Sequence, residues 1–210
     1  MQLSASDLAI IIPVIFFSMA VHEAMHAFSS HWLGDRTASD LGRLTLNPLK
    51  HIDIYTTVLL PVVLILLGLP PIFAAKPVPF NPDRVKYDEF GVAIVGISGP
   101  LSNLAMASMG SLFLRFANMP TGLFNILVIF VMVNVAFFVF NMIPFPPLDG
   151  SRLLYAFAPE PLQKLMYQIE SMGFSAILLF FFILVPVIGP LITFLNTRIL
   201  HLLLGAMYPL

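Results

Sequence analysis

The chain has 210 residues, 59% of them hydrophobic and only 10% charged, with ten Lys and Arg against eleven Asp and Glu. A soluble domain carries about 25% charged residues to cover its surface, so this composition argues against a soluble globule and a disordered chain. A net charge of −1 without a basic run argues against nucleic-acid binding. Together with a mean hydropathy of +0.94, it predicts an all-α integral membrane protein. The absence of cysteine removes disulfides, thiolate zinc sites and Cys nucleophiles. Eighteen Pro and twelve Gly predict bent or broken helices, which a membrane tolerates where neighbouring groups re-satisfy the backbone.

No cleavable signal peptide is expected, because Met1 to Asp7 has no basic residue and no small-residue cleavage site follows. Ser6 or Asp7 can cap a first helix that runs to Leu33 and stops at Gly34. At 1.5 Å per residue that helix is about 40 Å long, enough to span. Gly34 to Asp53 is polar and contains Leu41-Gly-Arg-Leu-Thr-Leu46, an alternating run with the period of a short strand. Ile54 to Leu69 is apolar but short, with Pro61 inside and Pro70-Pro71 after it. Lys76 to Glu89 carries Pro77, Pro79 and Pro82 and reads as irregular.

Further membrane helices are expected over about 90–117, 122–143 and 165–185, beside the first over 7–33. A last segment, 188–207, either spans or lies on the surface. The expected architecture is one domain, 1–210, with about four to six membrane helices. Pro144-Phe-Pro-Pro-Leu-Asp-Gly150 breaks the 122–143 helix, and Ser151 to Ala158 reads as a short interfacial helix.

The chemistry concentrates in His22-Glu-Ala-Met-His26, late in the first helix. His22 and His26, at i and i+4, share a helix face and can grip one metal ion, with Glu23 beside them to act on a bound water. Ionisable groups inside hydrocarbon are costly and by default functional; the bland alternative is a polar cluster that glues helices together. A zinc site needs a third protein ligand and an open fourth position. Asp149 is the only acid between Glu89 and Glu160, although it could instead be solvated or cap the Ser151 helix. His31 turns away from the metal face, and His51 in its charged loop is expected to be solvated.

HEAMH on a first membrane helix, with NMIPFPPLDG (Asn141 to Gly150) at the end of a later one, resembles the site-2 protease family of intramembrane zinc metallopeptidases, peptidase family M50. GRLTLNPLKHID (Gly42 to Asp53), AKPVPFNP (Ala75 to Pro82) and SGPLSN (Ser98 to Asn103) resemble its compact bacterial and archaeal branch, without PDZ or CBS domains. The resemblance covers nearly the whole chain. It implies that His22, His26 and Asp149 bind one Zn²⁺ and that Glu23 is the catalytic carboxylate. It further implies that Asn141 belongs to the substrate-handling region and that Asn103 is a polar position beside the site. The expected reaction is hydrolysis of a peptide bond in or near a transmembrane segment of a substrate protein, locally unwound, within the lipid bilayer. The Gly42 to Leu46 run could offer it an edge strand. The rival readings are a divalent-metal transporter and a non-catalytic scaffold of the same fold.

A site joining these three ligands constrains the topology. If Ile54 to Leu69 crossed fully, Asp149 would emerge about 30 Å away, across the bilayer core. The site therefore predicts a re-entrant segment near residues 54–70, packed against protein. With full crossing, Arg36, Arg43, Lys50 and Arg115 oppose Lys76, Arg84, Lys86, Arg152 and Lys164, four against five. With re-entrance only Arg115 is opposed, eight against one, as the positive-inside rule requires; Arg198 is in neither count. The expected placement is a multi-pass protein of the cell membrane, with the site toward the cytoplasm and the N-terminus outside.

Overall fold

The computed structural model describes residues 5–59, 61, 62, 66, 75–180 and 184–205. Its described elements are helical: α1 (Ala5–Trp32), α2 (Thr37–Asp40), α3 (Asp88–Phe116), α4 (Thr121–Asn141), α5 (Gly150–Phe157), α6 (Glu160–Ser171), α7 (Phe174–Leu179) and α8 (Val185–Leu204). Four of them are long and apolar enough to cross a membrane: Leu8–Trp32 of α1, α3, α4 and α8. The protein is an all-α, multi-pass membrane protein.

Helix α3 is the centre. More than half of its apolar window, 56%, is buried against other helices, whereas α8 buries only 11% and lies at the rim. Glycines on α3 allow the close approach that drives helix association in lipid. At Gly110 a Cβ would come within 2.9 Å of Val131 on α4. Ala107, Leu114, Val131, Val135, Val139, Leu200 and Leu204 form the apolar core between α3, α4 and α8. Arg115 closes this layer by donating to the carbonyls of Leu202 and Leu203 at 2.8 and 3.0 Å, where the last carbonyls of α8 lack helical donors.

Helix α1 ends as expected, with Gly34 at φ +107° and the Asp35 N–H bonded to the Ser30 carbonyl at 3.0 Å. The N–H of Lys86 then donates to the carbonyl of Leu33 at 2.9 Å. The chain thus leaves α1 and starts α3 at the same end of the helical layer, which is the parity that the expected re-entrant segment provides. About half of that segment, 60, 63–65 and 67–70, lies outside the described residues. Of it, Ile54–Leu59 forms a wide helical turn.

The structure corrects two expectations here. The alternating run 41–46 is not a strand, and no strand occurs among the described residues. Its backbone groups are spent locally, Arg43 N–H on the Ala38 carbonyl and Thr45 N–H on the Arg43 carbonyl, around Gly42 at φ +64°. The stretch 165–185 is not one helix either. It divides between α6 and α7 at Gly173, whose φ of +57° is left-handed and ends a helix.

Candidate metal centre

Helix α1 places the buried imidazoles of His22 and His26 one turn apart, edge to face with centroids 4.8 Å apart. Each ring has one nitrogen engaged. His26 Nδ1 is 2.7 Å from the Val95 carbonyl, and His22 Nδ1 is 2.6 Å from Asn103 Oδ1. These oxygens accept, so each Nδ1 carries the hydrogen and each Nε2 keeps a lone pair. The two Nε2 atoms face each other at 3.1 Å. Asp149 Oδ2 closes the triangle, 3.0 Å from His22 Nε2 and 3.4 Å from His26 Nε2.

Three electron-pair donors this close repel one another unless a cation sits among them. Zinc with bonds of about 2.0–2.1 Å in tetrahedral geometry spaces its ligands about 3.3 Å apart, and the three edges here are 3.1, 3.0 and 3.4 Å. The donor set of two imidazoles and one carboxylate therefore fits Zn²⁺ with a fourth position left open. It is the one such group among the described residues.

Close packing makes the triangle. A Cβ at Gly99 would lie 2.4 Å from His26 Nε2 and 2.8 Å from His22 Nε2, and one at Gly96 would lie 3.1 Å from the Asp149 carbonyl. Only glycines let α3 press against both ligand sources at once. Past α4 the chain doubles back until Gly150 meets the Met142 carbonyl, 2.4 Å from where a Cβ would stand. This reversal aims Asp149 at α1.

Glu23 is half-buried, and its Oε2 accepts the N–H of Val78 at 2.9 Å. Val78 belongs to the irregular stretch 75–81, which is clamped along its length. The Lys76 N–H bonds the His51 carbonyl at 2.8 Å, Arg43 donates to the Lys76 carbonyl at 2.7 Å, and the Asn81 N–H bonds Asp35 Oδ2 at 2.8 Å.

The remaining candidates separate. His31 is exposed and stands outside the group formed by His22, His26 and Asp149. His51 is a correction: it is 1% exposed and its Nε2 bonds the Thr45 carbonyl at 2.9 Å, so it staples its own loop instead of meeting solvent. Asn141, partly buried, donates to the Phe137 carbonyl of its own helix at 3.1 Å. Asn103 is fully buried and reaches the site through His22. Asn134 on α4 bonds Asn103 at 2.9 Å. Gly99 and Val78 act through a close approach and a backbone donor, for which residue type alone gives no signal. An open cavity of about 770 Å³ includes Phe80, Glu89, Val92, Arg152 and Glu170 in its lining but none of the three ligands. Arg152, one turn beyond Asp149, lines this cavity and pairs there with Glu170 on α6.

The profile of peptidase family M50 matches residues 115–185, a span that includes Asp149. The chain is 35% identical over 176 residues to YwhC of Bacillus subtilis (strain 168), which bears the name of a zinc metalloprotease; the match covers 80% of this chain and 77% of that protein. It is 30% identical over 162 residues to Rip2 of Mycolicibacterium smegmatis, likewise named a zinc metalloprotease, over 75% of this chain and 60% of that one. No solved structure matches the chain.

Proposed function

Since the chain belongs to peptidase family M50, we propose that it is a site-2-type intramembrane zinc metalloprotease that cleaves a membrane-protein substrate in or beside a transmembrane segment. The observation that carries this reading is the convergence of His22, His26 and Asp149, with ligand atoms all within 4.8 Å of one another, directly beside Glu23. When bound there, one Zn²⁺ supplies a water whose pKa falls from about 15.7 toward 7 and a Lewis acid for the scissile carbonyl.

The protein's own residues do the rest. Glu23, with Oε2 tied to Val78, has Oε1 left to take the water's proton and deliver it to the leaving amine. A substrate helix hides its carbonyls in internal hydrogen bonds, so the scissile segment must unwind locally. Asn141 Oδ1, at the end of α4, is offered to its backbone. The eight-against-one charge split supports a site on the cytoplasmic side of the cell membrane with the N-terminus outside. Transport is disfavoured because the polar side chains deeper in the bundle, Ser18, Asn103 and Asn134, are bonded to one another and offer no continuing set of ligands.

The test is Glu23→Gln in purified, reconstituted protein. Cleavage of a membrane-spanning substrate should be abolished while zinc content stays at the wild-type level. Normal cleavage by this variant overturns the mechanism, and zinc flux into vesicles that survives the substitution favours transport.

A further inference from the structure

Beneath the metal cluster a line of buried polar side chains crosses three helices, and its hydrogen bonds have a direction. Asn134 on α4, Asn103 on α3 and Ser18 on α1 are each 0% exposed. One amide atom of Asn134 lies 2.8 Å from the Phe130 carbonyl and 2.9 Å from Ser18 Oγ. A backbone carbonyl only accepts, so that atom is the nitrogen. Asn134 Oδ1 is thereby turned toward Asn103 and accepts from its Nδ2 at 2.9 Å. The Ser18 carbonyl, 3.4 Å from the same Nδ2, acts in the same sense. Asn103 is left presenting Oδ1, an acceptor with no hydrogen, to His22 Nδ1 at 2.6 Å.

We infer that Asn134 is a positioning residue for the metal site: pinned by the Phe130 carbonyl, it sets the polarity of the chain Asn134–Asn103–His22 and so holds His22 in the Nδ1–H tautomer that turns the Nε2 lone pair to the metal. A neutral imidazole has two tautomers, and only one ligates through Nε2. His26 receives its acceptor directly from the Val95 carbonyl, which cannot flip. The acceptor of His22 is an amide, and an amide alone can rotate by half a turn at little steric cost, presenting its NH₂ and selecting the wrong tautomer. A second amide anchored on a fixed carbonyl removes that ambiguity. The inference rests on His22 as a metal ligand, and not on proteolysis.

The test compares Asn134→Leu with the double variant Asn134→Leu, Asn103→Asp, reading zinc affinity by chelator competition and the His22 tautomer in metal-free protein by nitrogen NMR. Losing an outer hydrogen-bond partner weakens metal binding by about 10–100-fold. About tenfold is expected for Asn134→Leu, because the Ser18 carbonyl still touches Asn103, and the Nδ1–H form should give way to a mixture. Aspartate at 103 can offer an acceptor whichever way it turns, so the double variant should recover wild-type affinity. Wild-type affinity and tautomer in Asn134→Leu overturn the inference. A loss that Asn103→Asp does not repair also overturns it, by reducing Asn134 to helix packing. If the leucine variant does not fold, Asn134→Ala carries the same comparison. A protein that binds zinc with this pattern yet cleaves nothing would sink the proposed function and leave this inference standing.

Discussion

The carboxylate of Glu23 and the backbone N–H of Val78 are 2.9 Å apart, and Val78 stands between Pro77 and Pro79. Neither proline has an N–H, so Val78 is the sole backbone donor over 77–79. Val78→Pro deletes it without touching His22, His26 or Asp149, and a residue that already precedes Pro79 is biased toward the backbone a proline adopts. Zinc content should be unchanged, while turnover falls about 100-fold, the cost of a misplacement of about 1 Å. Zinc analysis and a rate measured on one preparation check this, and wild-type turnover would refute it.

Gly99→Ala should empty the metal site. The Cβ is fixed by the backbone and cannot rotate away from His26 Nε2, 2.4 Å distant. Either α3 retreats or the imidazoles turn, and both open the ligand triangle. Zinc affinity should fall at least about tenfold with helical content retained, as read by metal analysis and circular dichroism.

Asp149→Ala should uncouple zinc from stability. A ligand that binds only the folded state stabilises it by about 4 kcal/mol at 1,000 times its Kd. Thermal unfolding of the wild type should therefore shift upward with added zinc and downward with a chelator. The variant should respond to neither, since two imidazoles alone leave the site one protein ligand short.

Asp35 predicts how the loop between α1 and α3 responds to acid. It is 0% exposed; Oδ1 accepts from the Thr37 N–H and Oγ1 at 3.0 and 2.6 Å, and Oδ2 accepts from Asn81. Burial pushes its pKa up, but the bonds from Thr37 and Asn81, with the charge of Arg84, hold it below the ordinary carboxylate value. A group depressed in the folded state adds stability that is present above its unfolded pKa of about 3.9 and lost as pH falls through the lower folded value. Hydrogen exchange at the Asn81 amide should therefore stay protected at neutral pH and weaken only below about pH 4. Asp35→Asn should cost about 1–3 kcal/mol at pH 7, because one buried N–H loses its acceptor.

Much of the site was legible because its signals are local. Two histidines four residues apart share a helix face wherever the helix goes, and a lone acid beside a proline-broken helix end has few uses. The end at which Asp149 emerges was legible because a helix axis has only two directions relative to the membrane. The failures were of the opposite kind. His51 was expected in solvent because its neighbours are charged, yet it is buried in a turn that packs against α1. The 41–46 alternation has the period of a strand but no partner, and its backbone bonds close locally. Over 165–185 hydropathy reads through Gly173, where the backbone turns left-handed.

Sequence by itself determined the membrane class, the helical solution and the placing of His22 and His26 on one helix face beside Glu23, since these follow from composition and from spacing along one helix; Asp149 joined them only through the family resemblance. Only the tertiary structure decided that Gly99 is space reserved for two imidazoles, that Val78 lends a backbone hydrogen to Glu23, and that Asn134 faces Asn103 instead of a neighbouring helix surface. Those are distances between residues far apart in the chain. They are set by how closely helices pack and which carbonyls they leave free, and no one-dimensional pattern encodes either quantity.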